Sequence, residues 1–341
     1  MGHNRRKAVQ NSREEAPLHY TVVSLFAGCG GMDLGFLGDF RYHGHHFQNL
    51  AFQVLAAYDH DPKCVTTYRN NIGAHIHEAD LSHFDRVAVP PADVLIGGFP
   101  CQDFSSCGPK KGLSSKRGQL YQVLRRYMNK YSPRVVVGEN VPHLARMSSG
   151  SVLNTIHEDL EGDDYHFVIW TLYAPDYGIP QRRTRLFLVG VHNDISGFPE
   201  KPPKTHTEDN YLSIDWAIKD LVTVSDESIP NQSQYFLASK AKRGNGQGDE
   251  KNHSGSPAYT IRANAKSRVQ FHYSLPRRLT VRECARLQTF PDSFAFPHSA
   301  TTNIMQIGNA VPPILAYHVA RAIERFLKQI PDSKTAKRGA K

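Results

Sequence analysis

The chain has 341 residues, with 41 Lys and Arg against 32 Asp and Glu, a formal net charge of +9, 40% hydrophobic residues and 21% charged residues. That balance excludes global disorder and fits one large and one small domain around a packed core. No run of eighteen or more apolar residues exists, and Met1 to His19 has no apolar centre, so neither a membrane span nor a signal peptide is expected and the protein reads as cytoplasmic.

Basic tails are read at residues 1–19 and 331–341. The termini hold most of the net charge: residues 1–19 carry four basic and two acidic side chains, residues 328–341 five and one. Between the tails, short apolar runs at Thr21 to Phe26, Phe52 to Tyr58, Asp93 to Ile96, Val135 to Val137, His166 to Leu172 and Arg185 to Val191 alternate with helical stretches. Runs of this length, separated by helices, predict strands of a mostly parallel sheet covered on both faces. The expected class is α/β, doubly wound, with residues 20–191 and 305–330 forming this layer. Residues 192–304, rich in Pro, Gly, Asn and Lys, are expected to form a smaller loop-rich domain. Within it Thr280 and Glu283 have capping-box spacing ahead of a helix. A last helix starts at Pro312-Pro313 and carries Leu315, Val319, Ile323 and Phe326 on one face.

The first strand runs into Phe26-Ala27-Gly28-Cys29-Gly30-Gly31, and glycines at such a turn let a ligand approach the backbone at a helix N-terminus. Asp33 occupies the third glycine position of the dinucleotide fingerprint, so a nucleoside with a small polar tail is expected in place of a pyrophosphate. Asp59 and His60 end the second long run, where a carboxylate can take ribose hydroxyls and a ring can stack on a base; Asp80 can accept from an exocyclic amine.

Cys101, in Gly98-Phe99-Pro100-Cys101-Gln102, follows another strand end, the place where open α/β sheets bind ligands, and is the candidate nucleophile. The other cysteines, Cys29, Cys64, Cys107 and Cys284, form no CxxC pair. That pattern fits a reducing compartment and gives no metal site. Glu139, ending Val135-Val136-Val137-Gly138-Glu139, is placed to donate a proton or to hydrogen-bond a ring nitrogen. Strand alternation after Gln181 puts Arg183 and Arg185 on one face, suited to an acceptor oxygen and a phosphate. The histidines of Tyr42-His43-Gly44-His45-His46 read as a surface loop without metal-ligand spacing.

In order along the chain, F-A-G-C-G-G, G-F-P-C-Q, R-G-Q-L-Y from Arg117, G-E-N-V, Q-R-R-T-R, R-R-L-T-V-R-E-C-A-R-L-Q-T-F-P-D from Arg277 and Q-I-G-N-A-V-P-P from Gln306 resemble the motif series of bacterial DNA (cytosine-5)-methyltransferases of restriction-modification systems. The resemblance spans Tyr20 to about Leu327. It implies an S-adenosylmethionine-dependent methyltransferase fold, with that cofactor against Phe26, Gly28, Gly30, Gly31, Asp59, His60, Asp80, Pro100, Leu120 and Asn309. It further implies that the Cys101 thiolate adds to carbon 6 of a flipped cytosine while Glu139 serves ring nitrogen 3 and Arg185 holds the carbonyl oxygen. Where this chain has Asp59-His60 the family usually has Glu followed by an aromatic residue.

The expected partner is double-stranded DNA, with a cognate restriction endonuclease acting on the same sequence, no membrane, and a monomeric protein. Residues 192–304 would be the target-recognition domain. DNA contacts are expected from Gln102, Ser105, Lys110 and Lys111 in a loop that closes over the flipped nucleotide, and from Arg262, Asn264, Lys266 and Arg268. Residues 110–130 hold seven Lys and Arg and no acid, and residues 262–286 hold seven against Glu283 alone, a local basic distribution suited to counterion release. The alternatives are an RNA cytosine methyltransferase on the same scaffold, or a non-catalytic DNA-binding regulator, which would be expected to have lost Cys101 or Glu139.

Overall fold

A computed structural model of the chain describes residues 19–100, 120–235, 251–264 and 270–330. Strand β1, Tyr20–Leu25, buries every residue except Thr21 deeply, because it lies at the centre of a sheet covered on both faces. It pairs in parallel with β4, Phe52–Asp59, on one side and with β6, Val94–Gly97, on the other. Beyond β4 lies β5, Ile76–Glu78; beyond β6 lies β7, Val135–Asn140, both parallel to their neighbours. The sheet is completed by β9, Thr184–His192, antiparallel to β7, and by the edge strand β8, Tyr165–Tyr173, antiparallel to β9. Its order, β5-β4-β1-β6-β7-β9-β8, reverses direction of growth at β1. Ligands in open α/β sheets bind at such a switch point, outside the carboxyl ends of the strands.

One face of the sheet is covered by α1, Gly31–Leu37, and α8, Pro313–Gln329; their apolar residues share a cluster with Val22, Val54 and Val137. The other face is covered by α3, Gln122–Tyr131, and α4, Ser151–Glu161, around Val23, Leu95 and Val136. Helix α2, Pro62–Asn71, joins β4 to β5. A third cluster unites α5, Ile214–Ile218, α6, Val281–Leu287, and α7, Ala300–Asn309, with the phenylalanines at 290, 294 and 296. The capping box of α6 is formed: the Thr280 hydroxyl accepts from Glu283 N at 2.9 Å, and Glu283 accepts from Thr280 N at 2.8 Å. Among the described residues no helix is long and apolar enough to cross a membrane.

The His43 segment lies at the surface, as expected, with residues 43–45 exposed. It is the turn of a hairpin, β2, Phe40–Tyr42, with β3, His45–Phe47, and it docks on the third cluster. The Tyr42 hydroxyl donates to Arg286 O at 2.7 Å, while the His43 ring lies 4.4 Å from that of Trp216, with its Nε2 2.9 Å from Ala217 O. Arg286 in turn bridges Asp220 and Asp292. Contacts at this separation in sequence leave no local pattern to read.

Candidate active site

The turn after β1 is conformationally demanding. Phe26 has φ 57°, Gly28 φ 58° and Gly30 φ 92°; a left-handed Phe is uncommon, and such residues cluster at ligand sites. Asp59, at the end of β4, holds this turn: its carboxylate accepts from Gly28 N at 2.8 Å and from Asp61 N at 2.9 Å. Burial pushes the Asp59 carboxyl up, while the two amides and His60 pull it down. The His60 ring is exposed, with Nδ1 3.5 Å from Asp59. Asp80 is also exposed, and its carboxylate caps Ser82 N at 2.9 Å, which lowers its pKa. A Cβ built on Gly28 would meet nothing within 4 Å, so the turn opens onto free space beside Asp59. Gly30 and Gly31 are buried, whereas Phe26 and Pro100 are half-buried.

Two strands farther along, Glu139 on β7 faces Arg185 on β9, with Nε 2.7 Å from Oε1 and both side chains only 10% exposed. The antiparallel register places Glu139 opposite Phe187 and Leu172 of β8 opposite Arg185, so the pair sits at the carboxyl end of β7. Burial raises the Glu139 pKa, against the opposing pull of Arg185 and Arg183. Gly98 lies against this carboxylate, a Cβ there falling 3.3 Å from Oε2. The next residue, Asn140, donates from Nδ2 to Phe99 O at 3.1 Å, and its Oδ1 accepts from Val141 N at 2.9 Å. Asn140 therefore fixes the chain immediately ahead of Pro100. Sequence reasoning passed over this amide, although it stands in the G-E-N-V motif. Cys101, Gln102, Ser105, Lys110, Lys111, Lys266 and Arg268 lie outside the described residues, as do the closing loop and Cys107. Leu120 is half-buried.

Arg183 lies close enough to Arg185 and Glu139 to act on both electrostatically, but its hydrogen bonds go elsewhere. It is 1% exposed and donates to three carbonyls: Ile261 O at 3.0 Å, Gly308 O at 2.8 Å and Ala310 O at 2.9 Å. With its guanidinium buried among these, it is a strut between segments and has no open face for a phosphate. Gln181 works beside it, accepting from Ile261 N at 2.9 Å and donating to Leu287 O at 2.9 Å. Gly308 completes the junction, since a Cβ there would lie 2.3 Å from Ala263 N. The segment held by these contacts presents Arg262 and Asn264 to solvent, and Asn309 is exposed on the adjoining turn. Cys29 and Cys284 are buried and packed in the third cluster.

A doubly wound sheet with a glycine turn, a carboxylate at the second strand tip and a buried Glu–Arg pair at the end of β7 defines an α/β protein whose polar groups gather at the edge of the sheet where such folds bind ligands. Residues 20–325 match the family of C-5 cytosine-specific DNA methylases, and the chain belongs to that family. It is 32% identical over 331 residues to the Type II methyltransferase M.NgoFVII of Neisseria gonorrhoeae, covering 89% of this chain and 86% of that one. It is 30% identical to M.FnuDI of Fusobacterium nucleatum, covering 90% and 94%. In fold it is similar to the S. pombe Dnmt2 methyltransferase, with a TM-score of 0.65 at 17% identity over 91% of this chain and 99% of that one. The protein is a DNA cytosine-5 methyltransferase of the Type II restriction-modification kind, a family whose methyl donor is S-adenosylmethionine.

Proposed function

We propose that this enzyme methylates carbon 5 of one cytosine within a short double-stranded DNA sequence, and that the modification protects DNA from a cognate restriction endonuclease. The observation that carries the reading is the buried Glu139–Arg185 pair at the end of β7, whose neighbour Asn140 fixes Phe99, two residues before Cys101. In this reading Cys101 is the nucleophile. A base inside a duplex hides its face, so the target cytosine must be flipped out, at a cost of a few kcal/mol. The Cys101 thiolate forms a bond to carbon 6, and the displaced electron pair moves toward nitrogen 3. Glu139 delivers a proton or a hydrogen bond there, and its upward-shifted pKa favours the protonated carboxyl that this task needs. Arg185 donates to the ring carbonyl oxygen, leaving carbon 5 nucleophilic. Loss of the carbon 5 proton and departure of Cys101 restore the aromatic ring.

S-adenosylmethionine fits the free space at Gly28, with Asp59 for the ribose, His60 for the adenine, Asp80 for its amine, and Phe26, Gly30, Gly31, Pro100, Leu120 and Asn309 around it. When bound it supplies the electrophilic sulfonium methyl that carbon 5 takes up. Residues 192–304 are assigned to target recognition; the exposure of Arg262 and Asn264 on a segment tied to the catalytic layer supports contact with DNA there.

The test is transfer of labelled methyl from S-adenosylmethionine to mixed-sequence duplex DNA, followed by bisulfite sequencing. Label at carbon 5 of cytosines in one short sequence is expected, and label distributed without regard to sequence would overturn the recognition assignment. A Cys101→Ser variant is expected to bind DNA but to form no covalent adduct with 5-fluorocytosine DNA; an adduct in that variant would mean that another thiol is the nucleophile.

A further inference from the structure

Beneath the glycine turn lies a buried polar group that the reaction does not use. Asp33, in the first turn of α1, has no solvent exposure. Its Oδ2 accepts from the Ser24 hydroxyl of β1 at 3.0 Å, and its Oδ1 from the Tyr68 hydroxyl of α2 at 3.0 Å. Having donated its only proton to Asp33, the Tyr68 oxygen accepts from Nε2 of His75, 2.9 Å away, which fixes the neutral tautomer of that ring. The Tyr68 ring also supports the turn directly: a Cβ on Gly30 would lie 2.8 Å from Tyr68 Cδ2 and 2.1 Å from Ile72 Cδ1. Three elements therefore meet at one hydroxyl. They are α1, which follows the glycine turn; α2, which follows the Asp59-His60 tip; and the residue just before β5, which leads to Asp80.

We propose that Asp33, Tyr68 and His75 form a positioning relay that sets the spacing of the three strand tips and thereby the affinity for S-adenosylmethionine. The inference rests on the cofactor site proposed above. None of the three need touch the ligand; they act through Gly30, Asp59 and Asp80.

The relay also predicts a pH signature. Burial pushes the Asp33 carboxyl up to about 6, while hydrogen bonds from Ser24, Tyr68 and its own backbone pull it down and nearby Asp59 pushes it up again. These groups face it from β1, α2, β4 and α1, and the buried Cys29 thiol faces it from the glycine turn. His75 faces Tyr68 and is lowered by burial and by His77. Protonating Asp33 removes an acceptor site from the relay, so cofactor affinity should fall on the acid side. Tyr68→Phe removes a donor that holds the carboxyl down, and the acid limb should then move to higher pH.

Calorimetric binding of S-adenosylmethionine between pH 5 and pH 8, by the full chain, tests this. A net hydrogen bond of about 1 kcal/mol corresponds to a five- to tenfold change, so Tyr68→Phe should raise Kd by about that factor. The kcat at saturating cofactor and the KM for DNA should hold. In Asp33→Asn the acid limb assigned to Asp33 should be absent. A wild-type protein that binds no S-adenosylmethionine would overturn the site itself. Wild-type binding with unchanged Kd and unchanged acid limb in Tyr68→Phe would overturn the relay alone, as would an equal loss in kcat. Should Tyr68→Phe not fold, His75→Ala, at the outer end of the relay, takes its place: a raised Kd supports the relay and an unchanged Kd overturns it.

Discussion

Arg183 and Arg185 stand two residues apart, yet they belong to regions built on opposite principles. At the strand tips, Arg185 pairs with Glu139 and donates to Thr184 O, and both side chains of the pair keep a margin of exposure. At the junction, Arg183 donates to Ile261 O, Gly308 O and Ala310 O, with Gln181 bonded to Ile261 N and Leu287 O beside it. The contrast separates chemistry from assembly. The strand-tip pair keeps a solvent-facing edge, whereas the groups that fix one segment on another are buried and hydrogen-bonded to backbone carbonyls.

Substitutions can break or sharpen that contrast. Glu139→Gln should have the largest effect, lowering kcat by about a hundred- to ten-thousandfold in a single-turnover assay while leaving the fold intact. It also has a pH signature. The folded pKa of Glu139 is raised above its ordinary 4.5, so its contribution to stability is present below that value and is lost as pH rises through the folded one. The stability of Glu139→Gln relative to wild type should therefore improve as pH rises above about 4.5, as thermal unfolding would record; a flat difference would mean that burial does not govern this carboxyl.

Arg183→Ala comes next. It strands three carbonyls, each costing about 1–3 kcal/mol when buried without a partner, so urea unfolding should show a loss of about 3 kcal/mol or more. Arg185→Ala should lose less than half as much, because Glu139 can take up a proton; equal losses would erase the distinction between the two regions. Gly308→Ala presses a methyl group on the backbone of residues 262 and 263. It should cost about 1–3 kcal/mol and weaken DNA binding more than cofactor binding in parallel titrations. Tyr42→Phe, which removes one bond from the hairpin to α6, should cost only about 1 kcal/mol by chemical denaturation and leave turnover alone.

Much of the strand-tip region is legible from residues near one another in sequence. The run Tyr20 to Leu25 ahead of Gly28, the acid at Asp59 and the valines ahead of Glu139 each follow from a local period and a local turn, and the Thr280–Glu283 capping box needs only four residues. The junction has no such signature. The partners of Arg183 lie 78, 125 and 127 residues away, so no local period points to them. The docking of His43 on Trp216 and Ala217 of α5 likewise has no local signal. Asp33 marks a departure from the dinucleotide fingerprint, but nothing local foretells that Ser24 and Tyr68 enclose it.

The sequence by itself determined the order of strands and helices, the family and the identity of Cys101, Glu139 and Arg185 as candidates, because hydrophobic period, turn chemistry and motif order are properties of contiguous residues. Only the tertiary structure decided that Arg183 is a strut, that Asn140 holds Phe99 and that Asp33 is shut away under the glycine turn. Each of those depends on which distant donor or acceptor satisfies a buried polar group, and that match exists only once the chain has folded.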